Sequence, residues 1–192
     1  MALPAGRDRS EPESRTLVER AANGEAAASA ELYIALRAPV RALCRRLLRS
    51  DGDAEEAAAD VLLRIERLAR DYDDSITFRG FVLRAATNHC IDRLRRRRLE
   101  RRWIASVAGT VETTSPSPSP LSRLVGREHR DRVRAAIRTL PDVYRVVLVL
   151  RYYRELSYDE IAERLQMPRA TVGTALFRAK ALLRSRLGSA EP

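Results

Sequence analysis

Apolar residues recur at three- and four-residue steps along most of this chain, the spacing that lines one face of an α-helix. Helical spacing begins near Leu17. From Ala26 to Leu48 it is carried by Leu32, Ile34, Leu36, Val40, Leu43, Leu47 and Leu48, with a kink or break expected at Pro39, which has no amide hydrogen to donate. Ser50-Asp51-Gly52 ends that element. Asp53 then reads as the cap of a helix over Ala54 to Arg70, with Glu56 at the capping-box spacing and Val61, Leu62, Ile65 and Leu68 turned inward. An acidic turn, Asp71 to Ser75, leads into a helix from Phe78 whose inward face is Phe81, Val82, Ala85, Ala86, Ile91 and Leu94. After Leu94 the apolar pattern gives way to arginine.

The periodicity stops between Ile104 and Gly126, where proline alternates with serine. Such a segment favours extended, polyproline-like backbone and reads as a linker. Helical spacing then resumes. Val133, Ile137 and Leu140 mark one helix, broken at Leu140-Pro141, and Val143, Val146, Val147 and Leu150 mark a second over Asp142 to Arg151. Ser157 and Glu160 form a capping box ahead of Ile161, Ala162 and Leu165. Gln166-Met167-Pro168 stops that helix, and a last one starts at Arg169 with Val172, Leu176, Ala179 and Leu183 inward. The prediction is an all-α chain of two small helical domains joined by a flexible linker. Residues 1–16 form a flexible tail, 17–103 the first domain, 104–126 the linker, 127–187 the second domain and 188–192 a tail.

Charge adds a partner to this outline. The net charge is +10, which favours a polyanion. Every basic residue but Lys180 is arginine, a bias that a GC-rich genome also produces, so position says more than number. Seven arginines fall between Arg93 and Arg102, at the end of an amphipathic helix that presents them in order. That arrangement suits phosphate contact better than a solvated charge run does. Tyr72, in the acidic turn before that helix, is a candidate stacking platform for an unpaired base.

The capped helix from Ser157, the short turn and the helix from Arg169 form a helix-turn-helix pattern. Thr171 and Thr174 are short enough for close approach to base edges, while Arg169 and Arg178 suit phosphate or guanine, and Phe177 shares their face. Asp53, Glu55, Glu56 and Asp60 make the helix after Gly52 acidic at its start, which suits the helix dipole and equally suits a protein partner. Cys44 and Cys90 lie in apolar helical surroundings and read as reduced core thiols. No apolar run reaches the length of a membrane span or a signal peptide, so a cytoplasmic protein is expected. The two histidines, His89 and His129, lie in different domains, and no nucleophile motif, phosphate loop or metal-ligand spacing appears. No catalytic residue, metal or cofactor is expected.

These residues carry a family resemblance. Asp53-Ala-Glu-Glu, Asp60-Val, Phe78-Arg-Gly-Phe81, Arg84-Ala-Ala-Thr-Asn88 and Ile91-Asp92-Arg93 resemble region 2 of bacterial RNA polymerase sigma factors of the extracytoplasmic-function (ECF) type, in the sigma-70 family. Leu140-Pro141, the run Leu156 to Arg164, Pro168-Arg-Ala-Thr171-Val172 and Phe177-Arg178-Ala179 resemble their region 4. The resemblance implies a dissociable initiation subunit, not an enzyme. It would bind core RNA polymerase through its clamp helices and flap, and direct promoter-specific initiation. Asp53, Glu56, Asp60 and Val61 would dock on polymerase. Tyr72 and Asn88 would capture a flipped base of the −10 element, with Arg84, Arg93, Arg95 and Arg96 on the adjoining DNA. Arg169, Thr171, Thr174, Phe177 and Arg178 would read the −35 duplex. An anti-sigma factor would cover the apolar faces that polymerase uses.

The recognition helix departs from the family at Ala170, Gly173, Thr174 and Ala175, which removes two expected cations and weakens the helix at Gly173 by roughly 1 kcal/mol. Two other readings compete. A stand-alone helix-turn-helix regulator would bind duplex promoter DNA tightly without polymerase. A nucleic-acid enzyme would need Asp71, Asp73 and Asp74 to hold a metal ion.

Overall fold

The computed structural model describes residues 11–108 and 125–188, with side chains over 15–97 and 132–187. Among the described residues every regular element is an α-helix, the class that the periodicity predicts. The helices are α1 (Glu11–Ala22), α2 (Ala26–Leu47), α3 (Asp51–Leu62), α4 (Ile65–Arg70) and α5 (Phe78–Ala108), then α6 (Val125–Arg138), α7 (Asp142–Tyr152), α8 (Tyr158–Leu165) and α9 (Arg169–Gly188). No helix among the described residues is long and apolar enough to cross a membrane. Residues 109–124, which hold most of the expected linker, lie outside the described residues.

The first five helices build one unit. Leu32, Leu36, Val40, Leu43 and Leu47 of α2 are buried against Ala54, Ala57, Ala58 and Val61 of α3 and against Val82, Ala86 and Cys90 of α5. The alanines keep the first part of the inner face of α3 small, so it can lie close to α2. Cys44 and Cys90 are free thiols in this core, their sulfurs 3.6 Å apart.

Several boundaries differ from the sequence expectation, each for a local reason. Helix α1 begins at Glu11, inside the stretch read as a tail, because Val18 and Ala21 pack onto the core. Gly24, at φ +86°, turns the chain from α1 into α2, a backbone region that glycine enters without steric cost. Helix α2 runs unbroken through Pro39. The carbonyl that loses its amide partner belongs to the exposed Ala35, while Leu36 and Val40 hold the inner face in the core. Ile34, expected inward, is 74% exposed.

Ser50, not Asp53, caps α3, accepting the Asp53 amide at 3.3 Å. This leaves the Asp53 carboxylate for arginines of α5. The single helix expected over Ala54 to Arg70 is two. No glycine or proline marks the break at Leu63-Arg64; it re-aims Ile65 and Ala69 into the core, where α4 packs on α1. Helix α5 continues to Ala108, past the expected start of the linker.

The second unit is centred on α7. Positions 145 to 150 are all buried, as in a helix packed on every side. This overrides the strand preference of its valines, although Val143, expected inward, is 37% exposed. Helices α8 and α9 pack together and α9 packs on α7 and α6. The Ser157–Glu160 capping box forms as expected, with both reciprocal bonds.

The two units touch, and arginines make the junction. Arg145 is fully buried. Its Nε and Nη2 donate to the Leu47 carbonyl at 3.2 and 3.0 Å, Nη1 donates to the Leu140 carbonyl at 3.4 Å, and Nη2 also donates to Asp142 at 2.9 Å. Leu47 ends α2, so its carbonyl has no partner within that helix. The guanidinium supplies one, and its charge suits the negative end of the helix dipole. Burial lowers the proton affinity of Arg145, and the Asp142 carboxylate opposes that effect. Around this centre Arg49 donates to the Leu140 carbonyl at 2.7 Å, Arg138 lies 3.2 Å from Asp51, and Arg46 lies 4.1 Å from the centre of the Tyr153 ring.

Replacing Arg145 by methionine keeps much of the volume and removes every donor. The Leu47 carbonyl loses its partner while the Leu140 carbonyl keeps Arg49, at a cost of about 1–3 kcal/mol. Urea unfolding of Arg145→Met should begin at lower denaturant, with the two units no longer unfolding together. An unchanged unfolding curve would contradict this role.

Candidate nucleic-acid interface

Helix α5 carries two sets of polar side chains. On the side facing α3, Arg97 donates to Asp53 through both terminal nitrogens. Arg93 donates to Glu56 and lies 3.7 Å from both Asp53 and Asp60. His89 lies 3.1 Å from Asp60. Hydrogen bonding from Arg97, the largest effect, holds the Asp53 carboxyl below the usual range. The acids expected to face a protein partner are therefore tied to arginines of their own unit. Asp53 is the most enclosed, with its side chain 13% exposed, whereas Glu56 is 62% exposed. Val61 is buried beneath them and supports this face without forming part of it.

On the outward side, Arg84, Asn88 and Arg96 are exposed at four- and eight-residue steps. Arg93, assigned with them to DNA, belongs to the acidic face. Arg95 is half-buried, ion-paired with Asp92 and donating to the Arg164 carbonyl at 2.9 Å. Sequence spacing orders the arginines on one helix and does not reveal which have acids opposite. The side chains of Arg98, Arg101 and Arg102 lie outside the described residues.

Tyr72 is held from several directions. Its ring meets Phe78 and Phe81 edge-on, with centroids 5.2 and 5.7 Å away, and its hydroxyl donates to the Ile76 carbonyl. One side of the ring lines a cavity of about 320 Å³, with Arg15, Val18, Glu19 and Ala22 of α1 opposite and Asp73 and Asp74 at its rim. Arg15 bridges to Asp74 at 2.7 Å. Asp73 accepts from the Ser75 amide and hydroxyl, which lowers its pKa. Asp71 lies 3.7 Å from Arg67, so all three turn acids have local partners. Asn88 is not among the cavity's lining residues. The contribution of α1 was missed because its first residues read as a tail.

In the second unit the turn between α8 and α9 is closed by Gln166 in the left-handed region, φ 51°. Helix α9 runs through Gly173 without a break. Its exposed stripe is Ala170, Thr171, Thr174, Phe177, Arg178 and Ala181, which brings four of the five residues assigned to duplex DNA into line. Ala175, where the resemblance leads to an expected cation, is buried. The fifth residue, Arg169, is exposed and lies 3.0 Å from Asp159.

Two arginines left unassigned in the sequence lie where the second unit meets α5. Arg154 donates to the Gly80 carbonyl at 3.4 Å, and Arg164 is close enough to Arg84 for repulsion to lower its pKa, after burial. Only the approach of the two units reveals them.

Comparison with known proteins gives this arrangement its family. Residues 32–100 match the family model for sigma-70 region 2, and residues 130–183 match that for sigma-70, region 4. The chain is 32% identical over 176 residues to the ECF RNA polymerase sigma factor SigW of Bacillus subtilis, covering 88% of this chain and 94% of that protein. It is 31% identical over 179 residues to SigK of Mycolicibacterium vanbaalenii, covering 91% and 89%. Its fold is similar to that of the sigma factor RpoE from Bartonella quintana, solved with the anti-sigma factor NepR, at a TM-score of 0.54 and 17% identity, covering 84% and 97%. It is also similar to that of CnrH, solved with the cytosolic domain of CnrY, at a TM-score of 0.53 and 20% identity, covering 93% and 99%. The chain belongs to the ECF RNA polymerase sigma factors.

Proposed function

We propose that this sigma factor divides promoter recognition between the outward side of α5 and the exposed stripe of α9, and docks on core polymerase through the Glu56 side of α3. The observation that carries this reading is the two-sided α5. Arg84, Asn88 and Arg96 are exposed on one side while Arg93 and Arg97 are consumed by acids on the other. The outward side takes the −10 DNA, with Tyr72 beside it as the platform for an unpaired base. Residues 17–103 and 127–187 act as the two functional domains.

The free chain is closed. Arg95 is spent on the end of α8, and Arg164 crowds Arg84, so α8 of the second unit lies against α5 of the first. Core polymerase separates them. An anti-sigma factor, like the partner present in the RpoE structure, competes for the surfaces that polymerase uses. The reading as a stand-alone regulator has less support, because the free chain keeps Arg95 of α5 engaged with the end of α8.

Three outcomes test this reading. Purified chain with cognate core polymerase should initiate transcription at specific promoters, while the chain alone binds promoter duplex weakly. Failure to initiate at any genomic promoter, or tight specific binding without core, would sink it. Glu56→Lys, at the most open acid, should weaken binding to core by roughly fivefold with helix content unchanged; unaltered affinity would remove this docking face. Asn88→Ala should slow open-complex formation by roughly tenfold at normal affinity for core, and Tyr72→Phe, which keeps the ring, should be close to wild type. Lost core binding in Asn88→Ala would make that residue structural.

A further inference from the structure

We infer that Cys44 and Cys90 form a reversible oxidation site, in which a peroxide converts the two thiols into a disulfide that staples α2 to α5. Both side chains are fully buried, Cys44 on α2 and Cys90 on α5, and the Cys90 thiol donates to the Cys44 sulfur at 3.6 Å. A single buried cysteine in apolar surroundings is ordinarily inert. A pair in contact differs, because a sulfur oxidised at one position already has its resolving thiol beside it. Bonding distance is about 2 Å, so the sulfurs need to approach by roughly 1.6 Å, which side-chain rotation and a small shift of the helices supply.

The two thiols are not equivalent. The hydrogen bond from Cys90 favours the thiolate of Cys44 and lowers its pKa against the effect of burial, while that same bond and burial push the Cys90 thiol up. Cys44 is therefore the attacking sulfur. Its thiolate bonds to one peroxide oxygen as the O–O bond breaks, which leaves a sulfenic acid on Cys44. The departing hydroxide takes up the proton that Cys44 released and leaves as water. The Cys90 sulfur then attacks the Cys44 sulfur, the S–S bond forms and the S–O bond breaks, and the Cys90 proton leaves with that oxygen as a second water. Two electrons pass from the sulfurs to the peroxide, and a thiol reductant returns them by exchange. Position gives the bond its effect. The cysteines lie 46 residues apart, and the chain between them holds α3, α4 and the turn with Tyr72. A cross-link around so long a loop restrains the unfolded chain and so stabilises the first unit. In a reducing compartment the pair stays a dithiol, and the bond forms under oxidative load.

The experiment treats the full chain with hydrogen peroxide in the absence of denaturant, at a concentration that fully oxidises an exposed cysteine in a control peptide. Remaining thiols are alkylated, and the chain is mapped by mass spectrometry. The expected product is a monomer lighter by about 2 Da, the two lost hydrogens, with the peptides of Cys44 and Cys90 joined. The urea midpoint of the first unit should rise by roughly 1–2 M, and dithiothreitol should restore both mass and midpoint. Cys44→Ala and Cys90→Ala, treated alike, should show neither the cross-link nor the rise. Two thiols still free after peroxide, oxygen added to a sulfur in place of the cross-link, or a bond between two chains would each overturn the inference. A Cys44–Cys90 bond that leaves the midpoint unchanged or lowers it would overturn it as well.

Discussion

Unpaired carbonyls at helix ends connect the two halves of this protein. The end of α2 exposes the Leu47 carbonyl, and Arg145 from the second unit fills it. The end of α8 exposes the Arg164 carbonyl, and Arg95 from the first unit fills it. Each unit thus completes a helix of the other with a guanidinium. A buried arginine is costly unless its donors are matched, and Arg145 has Leu47, Leu140 and Asp142 to match them. Such a junction is strong while intact and is lost as a whole, which suits the separation proposed on binding core polymerase.

The same residue type does different work on α5. Arginines at 93 and 97 neutralise the acids of α3 and hold the helix in place, while those at 84 and 96 are left outward. Arg95 sits between, spent on the other unit. A basic helix is therefore not one surface. Its pairing determines which charges are available to phosphate and when. The Glu56 carboxylate, paired yet mostly exposed, is the point on the acidic side best placed to exchange an internal partner for an external one.

Local signals were readable in the sequence. The Ser157–Glu160 capping box, the stop at Gln166 and the periodicity of α2 and α5 depend on near neighbours, and they placed the helices and the helix-turn-helix. What could not be read depended on distant neighbours. Asp53 looked like a cap because the arginine that claims it lies 44 residues away. Pro39 looked like a break because its flanking residues' burial in the core is not visible in the sequence. Arg145 carries no local signal in an arginine-rich chain, because its carbonyl partner at Leu47 is 98 residues away. At the candidate site, the stripe on α9 was legible as a face, whereas the closing of the Tyr72 cavity by Arg15 of α1 was not.

The closed junction is the central claim, and a distance measurement tests it most directly. Spin labels at the exposed positions Arg37 on α2 and Ala181 on α9 would report the separation of the units by pulsed electron resonance. The free chain should give one narrow distance distribution, and addition of core polymerase should move it to a longer distance. A broad distribution in the free chain, or the same distance with and without core, would contradict the account.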